Sequence, residues 1–131
     1  MQLAAAYAHT RSGRNWAADT ALRMARAVLR PDAQGGWTLA CPGELEASMY
    51  RQGVTLDLWP QQTDVPVPVT LIGADPGRAY PAATALSNQS LAAEGGFDYR
   101  AIADTSHLLQ LEAPAACAEA ALAALRRVGL A

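Results

Sequence analysis

Two short apolar runs, each closed by a polar loop and separated by one helix-length segment, constrain this chain more than any other feature. The first is Val65-Pro66-Val67-Pro68-Val69-Thr70-Leu71-Ile72, which stops at Gly73-Ala74-Asp75-Pro76. The second is Phe97-Asp98-Tyr99-Arg100-Ala101-Ile102-Ala103, which stops at Asp104-Thr105-Ser106-His107. Runs of this length bounded by Gly, Pro and Asp read as strands. Pro66 and Pro68 lack the N–H that a ladder needs, so regular strand is expected over Val69–Ile72 after an irregular lead-in. Between the runs, Pro81–Ala93 reads as a helix with Ala82, Ala85, Leu86 and Leu91 inward, ending at Gly95-Gly96. Two strands joined by a helical crossover are expected to be parallel and right-handed. A parallel sheet of two strands is too small to stand as a sheet core, because such strands are normally covered on both faces. The expected fold class is therefore α/β, with a β-α-β-α unit forming the edge of a larger doubly wound parallel sheet.

The last helix is expected over Ala115–Val128. Pro114 stands at its first turn, where a missing N–H does no harm, Leu122 and Leu125 anchor its apolar face, and Gly129 ends it. Ahead of the strands, Trp16–Arg30 carries Ala21, Met24, Ala25, Val28 and Leu29 at helical spacing, with Arg23, Arg26 and Arg30 on the other face, until Pro31 stops it. Asp32–Gly36 is a turn, Trp37–Ala40 a short extended piece and Glu44–Arg51 a second helix closed by Gly53, while Leu56–Asp64 holds a turn of helix and a loop. The expected organisation is a helical segment over residues 1–64 followed by an α/β segment over residues 65–131.

A chain of 131 residues is long enough for one domain, and 51% hydrophobic residues exclude disorder throughout. A net charge of −2 gives no electrostatic reason to expect nucleic acid or an anionic membrane as partner. Two cysteines, Cys41 and Cys117, do not make a disulfide framework; both read as small buried residues with free thiols, which fits a cytoplasmic location. The apolar start, Met1–His9, lacks a basic stretch and does not read as a signal peptide, and no segment has the ~18 apolar residues of a membrane span. The basic residues are all Arg, a bias of GC-rich coding. No dinucleotide-binding glycine motif, P-loop or H-x-x-x-H occurs, so no cofactor is expected. His9, Asp19 and Glu44 do not have metal-ligand spacing, and no metal is expected either.

The chemistry resides in the loops. Asp75 follows one strand and His107 follows the next. Parallel neighbours lie ~4.8 Å apart, so the two are expected within hydrogen-bonding reach, with the carboxylate accepting from one ring nitrogen and fixing the tautomer. Asp104 is a rival acid but sits in the histidine's own loop, poorly placed behind the ring. Ser106 adjoins His107 on an extended loop, where neighbouring side chains point apart, so it is not expected to be a nucleophile. Cys41 lacks the strand-turn-helix elbow that exposes one. Trp16, Trp37 and Trp59 are candidates to line a substrate pocket, or packing aromatics.

Gly73-Ala74-Asp75-Pro76 and Asp104-Thr105-Ser106-His107, the latter followed by Leu108–Leu111, Glu112 and Pro114, are similar to the acid and histidine loops of α/β-hydrolases. In that family the triad runs Ser, then Asp or Glu, then His. On the resemblance, Val67–Ile72 corresponds to the seventh strand, Asp75 to the acid and His107 to the base. Asp104 stands where the family usually has Gly. Arg14-Asn15-Trp16 with the helix after it, and Trp37–Pro42 with Glu44 and Glu46, resemble the helical cap and its exit. No G-x-S-x-G occurs, and strands one to six and the oxyanion-hole segment have no counterpart here. The resemblance implies the cap and C-terminal catalytic part of a bacterial esterase- or lactonase-like acyl hydrolase, a truncated, split or degraded copy. Such a chain is inactive alone and takes a small ester-like substrate only when complemented by an N-terminal half. An open strand edge also implies self-association. The alternative is a non-enzymatic remnant that serves as an interaction module.

Overall fold

A computed structural model gives the fold and describes residues 2–53, 55 and 59–130. It is mixed α/β, with two small sheets. The chain divides into two compact units, Met1–Arg14 with Ala18–Leu58, and Asn15–Ala17 with Trp59–Ala131.

The first unit holds α1 (Gln2–His9), α2 (Thr20–Ala27), the two strands β1 (Leu29–Pro31) and β2 (Trp37–Leu39), and α3 (Gly43–Gly53). The continuous helix expected over Trp16–Arg30 is not formed. Asp19 adopts a left-handed conformation, φ 61°, which breaks the helix before Thr20. At the other end Leu29–Pro31 is drawn into an antiparallel hairpin, with Leu29 opposite Leu39 and Pro31 opposite Trp37. The turn between them is specified by Asp32, whose Oδ1 accepts the backbone N–H of Gln34 at 2.9 Å and of Gly36 at 2.7 Å. Gly35, φ 78°, supplies the left-handed residue that the turn requires. The hairpin outcompetes the last helical turn because Val28 is a poor helix former and its carbonyl is taken by the N–H of Ala40. Among the described residues of this unit only Gly13 and Ala25 are buried, while Trp37, Leu45, Met49 and Tyr50 stand exposed.

The second unit is built on β3 (Thr70–Ala74), α4 (Ala83–Gly95), β4 (Asp98–Ile102), the single turn α5 (Leu109–Glu112) and α6 (Pro114–Arg127). β3 and β4 are parallel, as expected, with Thr70 beside Asp98 and Ala74 beside Ile102. β3 begins one residue later than expected, because the lead-in is bonded elsewhere: Gln62 accepts the N–H of Val69 at 3.1 Å and donates to the carbonyl of Val67 at 2.9 Å. These bonds carry the segment where Pro66 and Pro68 cannot enter a ladder. Residues 56–58 of the expected turn of helix lie outside the described residues, and its remainder is a 3₁₀ turn at Gln62–Asp64. Trp59 donates its indole N–H to Glu94 at 2.8 Å, which attaches the start of this unit to α4. Residues 15–17 attach through the N–H of Ala17, which bonds the carbonyl of Leu111.

The core is made of small residues. Ala85 and Ala92 of α4, Ala120 of α6, Ala74 and Ile102 of the strands, and Phe97 are its buried apolar side chains. Leu86, Leu122 and Leu125, expected inward, are instead more than two-fifths exposed. Alanine lets the helix backbones approach the sheet closely, and that turns the larger leucines toward the rim. Arg127, in the last turn of α6, donates to Thr70 Oγ1 at 2.7 Å and to Asp98 Oδ2 at 2.6 Å, and so clasps the starts of both strands. Among the described residues no helix is long and apolar enough to cross a membrane.

Gly95, buried in the last turn of α4, has no room for a side chain: an added Cβ would meet Phe97 Cε2 at 2.6 Å and the Pro60 carbonyl oxygen at 2.8 Å. Gly95→Ala gains helix propensity worth ~1 kcal/mol but overpacks against backbone, a cost of ~1–3 kcal/mol. The expected result is a lower urea midpoint with an unchanged slope. A midpoint at or above that of the wild type would show that the segment at Pro60 yields freely.

Candidate functional site

The sequence points to the loops after β3 and β4, and both lie at the same end of the parallel pair. Asp75 leaves β3 into a tight turn. Its Oδ1 accepts the N–H of Gly77 at 2.8 Å, which is the usual way an Asp shapes the turn that follows it. Its Oδ2 reaches across and accepts the N–H of Asp104, the first residue after the end of β4 apart from Ala103, at 2.9 Å. The N–H of Asp75 bonds the carbonyl of Thr105 at 3.4 Å. Asp75 thus joins the two loops by its side chain and by its backbone. Both N–H donors, that of Asp104 foremost and then that of Gly77, stabilise the ionised carboxylate and hold its pKa below the ordinary 3.8, against a smaller opposing effect of burial.

Asp104 itself is left-handed, φ 61°. Asp is among the few residues with a side chain that take this conformation readily. Thr105 is buried and donates its hydroxyl to the Ile102 carbonyl at 2.6 Å. Ser106 gives both of its donors to Glu112: its N–H bonds Oε2 at 2.9 Å and its hydroxyl bonds Oε1. Arg78 completes the loop, with Nη1 3.1 Å from the Asp104 carbonyl and 4.0 Å from Glu112 Oε2.

His107 stands exposed beyond these anchors. Its Nδ1 lies 3.0 Å from Thr84 Oγ1 in the first turn of α4. This corrects the expected geometry, for no hydrogen bond joins His107 to Asp75. In this arrangement Nδ1 is held by the Thr84 hydroxyl, while the two oxygens of Asp75 accept backbone N–H groups. Asp75 reaches the histidine loop through its backbone rather than through its ring. Asp104, considered as a rival acid, contributes its backbone to this arrangement. Glu112, Thr84 and Arg78 had no role assigned from sequence. Only Glu112 carried a signal, in its place between the histidine and Pro114.

The other candidates take no part in these bonds. Cys41, expected buried, is exposed and donates its thiol to the neighbouring Pro42 carbonyl at 3.8 Å. It helps line an apolar cavity of about 690 Å³ in the first unit with Tyr7, Met24, Leu39, Met49 and Tyr50. Cys117, expected in the core, is only partly buried, and that burial raises its pKa. Trp37 lines a smaller cavity of about 300 Å³ in the first unit with Leu22 and Leu29. Trp16 is half-buried in the second unit, where Trp59 serves as the donor to Glu94. Among the described residues no group of three or more His, Cys, Asp and Glu side chains is placed to hold a metal ion.

The lowered pKa of Asp75 makes a pH prediction with a definite sign. A carboxyl group whose folded pKa is depressed adds stability at pH above its ordinary value and loses that stability as pH falls through the folded value. Asp75→Asn is therefore expected to melt lower than the wild type at neutral pH, with the gap closing as the pH drops below 3.8. Thermal melts across that range check it, and a gap that persists unchanged into acid would place the effect of Asp75 elsewhere than in its charge. No known family model, curated protein or solved structure matches this chain.

Proposed function

We propose that the second unit supplies the acid–base part of an α/β-hydrolase-type acyl hydrolase acting on small esters or lactones. His107 is the general base, Asp75 its acid, and the nucleophile comes from outside these residues. One observation carries the reading: the acid and histidine loops leave adjacent parallel strands at the same end and are joined by Asp75 Oδ2 and the Asp104 N–H. The left-handed Asp104 supports it, because the backbone there has the conformation that the family's usual Gly favours. A carboxylate has about four acceptor positions, so Asp75 can accept from the ring of His107 while keeping its two backbone donors. That step requires Nδ1 to leave Thr84.

In the complete site His107 takes the proton of the nucleophile as it attacks the acyl carbon, and returns it to the leaving alkoxide. Neither Ser106 nor Cys41 supplies that nucleophile. The Ser106 hydroxyl is committed to Glu112, and Cys41 lies in the first unit on no elbow. Without nucleophile and oxyanion hole, the parts that supply most of the rate are missing. The chain alone is expected to hydrolyse p-nitrophenyl esters no faster than a His107→Ala control. Co-produced with an N-terminal half that carries G-x-S-x-G, it is expected to gain a turnover that His107→Ala reduces by ~10³-fold or more. Turnover by the chain alone that vanishes in His107→Ala, or complemented turnover indifferent to it, would overturn the proposal.

The interaction-module reading draws on a separate observation. Among the described residues β3 and β4 pair only with each other, which leaves each an unpaired edge there, and Val67, Leu86, Leu122 and Leu125 of the same unit are exposed. Open edges beside apolar surface invite pairing with another chain. Self-association is the expected state of the isolated protein. Light scattering during a thermal melt checks it, and a monodisperse monomer with a cooperative transition would contradict it.

A further inference from the structure

Glu112 stands out among the carboxylates of the second unit. Its side chain is only 4% exposed, yet it belongs to a four-residue helical turn with no strand to support it. Burying a carboxylate is costly unless its oxygens are bonded and its charge is met. Here Ser106 bonds the oxygens and Arg78 faces the charge. Ser106 donates its N–H to Oε2 and its hydroxyl to Oε1, and Arg78 brings its guanidinium to 4.0 Å. The same Arg78 donates to the Asp104 carbonyl. The residue directly before His107 is therefore gripped on both its backbone and its side chain, and the loop is tied at its start by Arg78 and Asp75.

We infer that Glu112, with the Arg78 guanidinium facing its charge, is the positioning residue of His107: it fixes Ser106 and thereby sets the place at which the imidazole meets its partner. Two charge-assisted bonds to adjacent groups of one residue leave that residue no freedom to turn. His107 makes none of these bonds itself, and its only protein contact of this kind among the described residues is the hydroxyl of Thr84. Freed from Glu112, Ser106 would rotate and carry the ring off Thr84. The catalytic meaning of this assignment rests on the acyl-hydrolase reading; the positioning does not, and it is measured without any substrate.

The experiment compares ring-nitrogen NMR signals of His107 in the full chain and in variants, with His9, the second histidine of the chain, as internal reference. Thr84→Ala defines the signature of a ring that has lost its partner. Glu112→Ala is expected to reproduce the Thr84→Ala signature and to speed exchange of the Ser106 amide by about tenfold, the loss of one charge-assisted hydrogen bond, while amides of β3 and β4 keep their protection. Glu112→Gln, which retains an acceptor, is expected to keep the wild-type signature. A wild-type signature in Glu112→Ala would overturn the assignment. If Glu112→Ala also releases the strands, Ser106→Ala decides, because it removes the hydroxyl bond alone. A His107 signal shifted toward that of Thr84→Ala then carries the inference, and an unshifted one ends it. Ester hydrolysis enters none of these outcomes, so the positioning role and the hydrolase reading stand or fall separately.

Discussion

Side-by-side pairing from Thr70 with Asp98 to Ala74 with Ile102 holds β3 against β4, and a side chain closes each end of that ribbon. Arg127 bridges the two starts. Asp75 bridges the two finishes through the N–H of Asp104. Without this pairing, the loop that bears His107 would have no fixed relation to Asp75 or to α4. A two-stranded parallel ribbon has few hydrogen bonds of its own, and most strands of this kind lie inside larger sheets. The clasps at its ends are what an interior strand obtains from its neighbours. Both clasps use ionised groups, Asp75 and the Arg127–Asp98 pair. The ionised form of Asp98 is favoured chiefly by its bond to Arg127 and that of Asp75 by backbone donors.

The core explains why the helices sit where they do. Alanines at positions 74, 85, 92 and 120 let α4 and α6 come close to the strands, and among the described residues of this unit Phe97 and Ile102 are the larger apolar side chains that are buried. Small side chains remove little apolar surface from water. Specificity in this unit therefore comes to a large degree from directed polar contacts: Gln62 along the proline-rich lead-in, Trp59 on Glu94, Tyr99 on the Ala74 carbonyl and Glu112 on Ser106. Each of these joins segments that the apolar pattern alone leaves adjacent but unregistered.

The strands and their parallel order were legible in the sequence because punctuation by Gly, Pro and Asp is strong at both ends of each run. The end of α4 was legible in the same way from Gly95-Gly96. Trp16–Arg30 reads as one continuous helix because its periodicity is satisfied equally by a helix and by a shorter helix followed by a hairpin. What decides between them is Asp32, whose turn-forming bonds bring Trp37–Leu39 back onto Leu29–Pro31. The inward face of α6 was misplaced for a related reason. Leucine marks the apolar face when helices pack at ordinary distance, whereas a closely packed helix buries its alanines. At the site, the end of the sheet and the two loops were readable, but the partner of the imidazole was not. A carboxylate can be engaged by backbone donors that no side-chain pattern reveals, and a threonine on a neighbouring helix carries no signal of its contact with a ring.

The clasp formed by Arg127 also has a meaning in time. Thr70 waits for a partner 57 residues further along the chain, and Asp98 waits for the same guanidinium. During synthesis β3, α4 and β4 all emerge before the side chain that fastens the strand starts together. The nascent ribbon is thus open at its N-terminal end until α6 has emerged and docked, and its exposed edges are then offered to whatever protein is nearby, a chaperone or a second copy included.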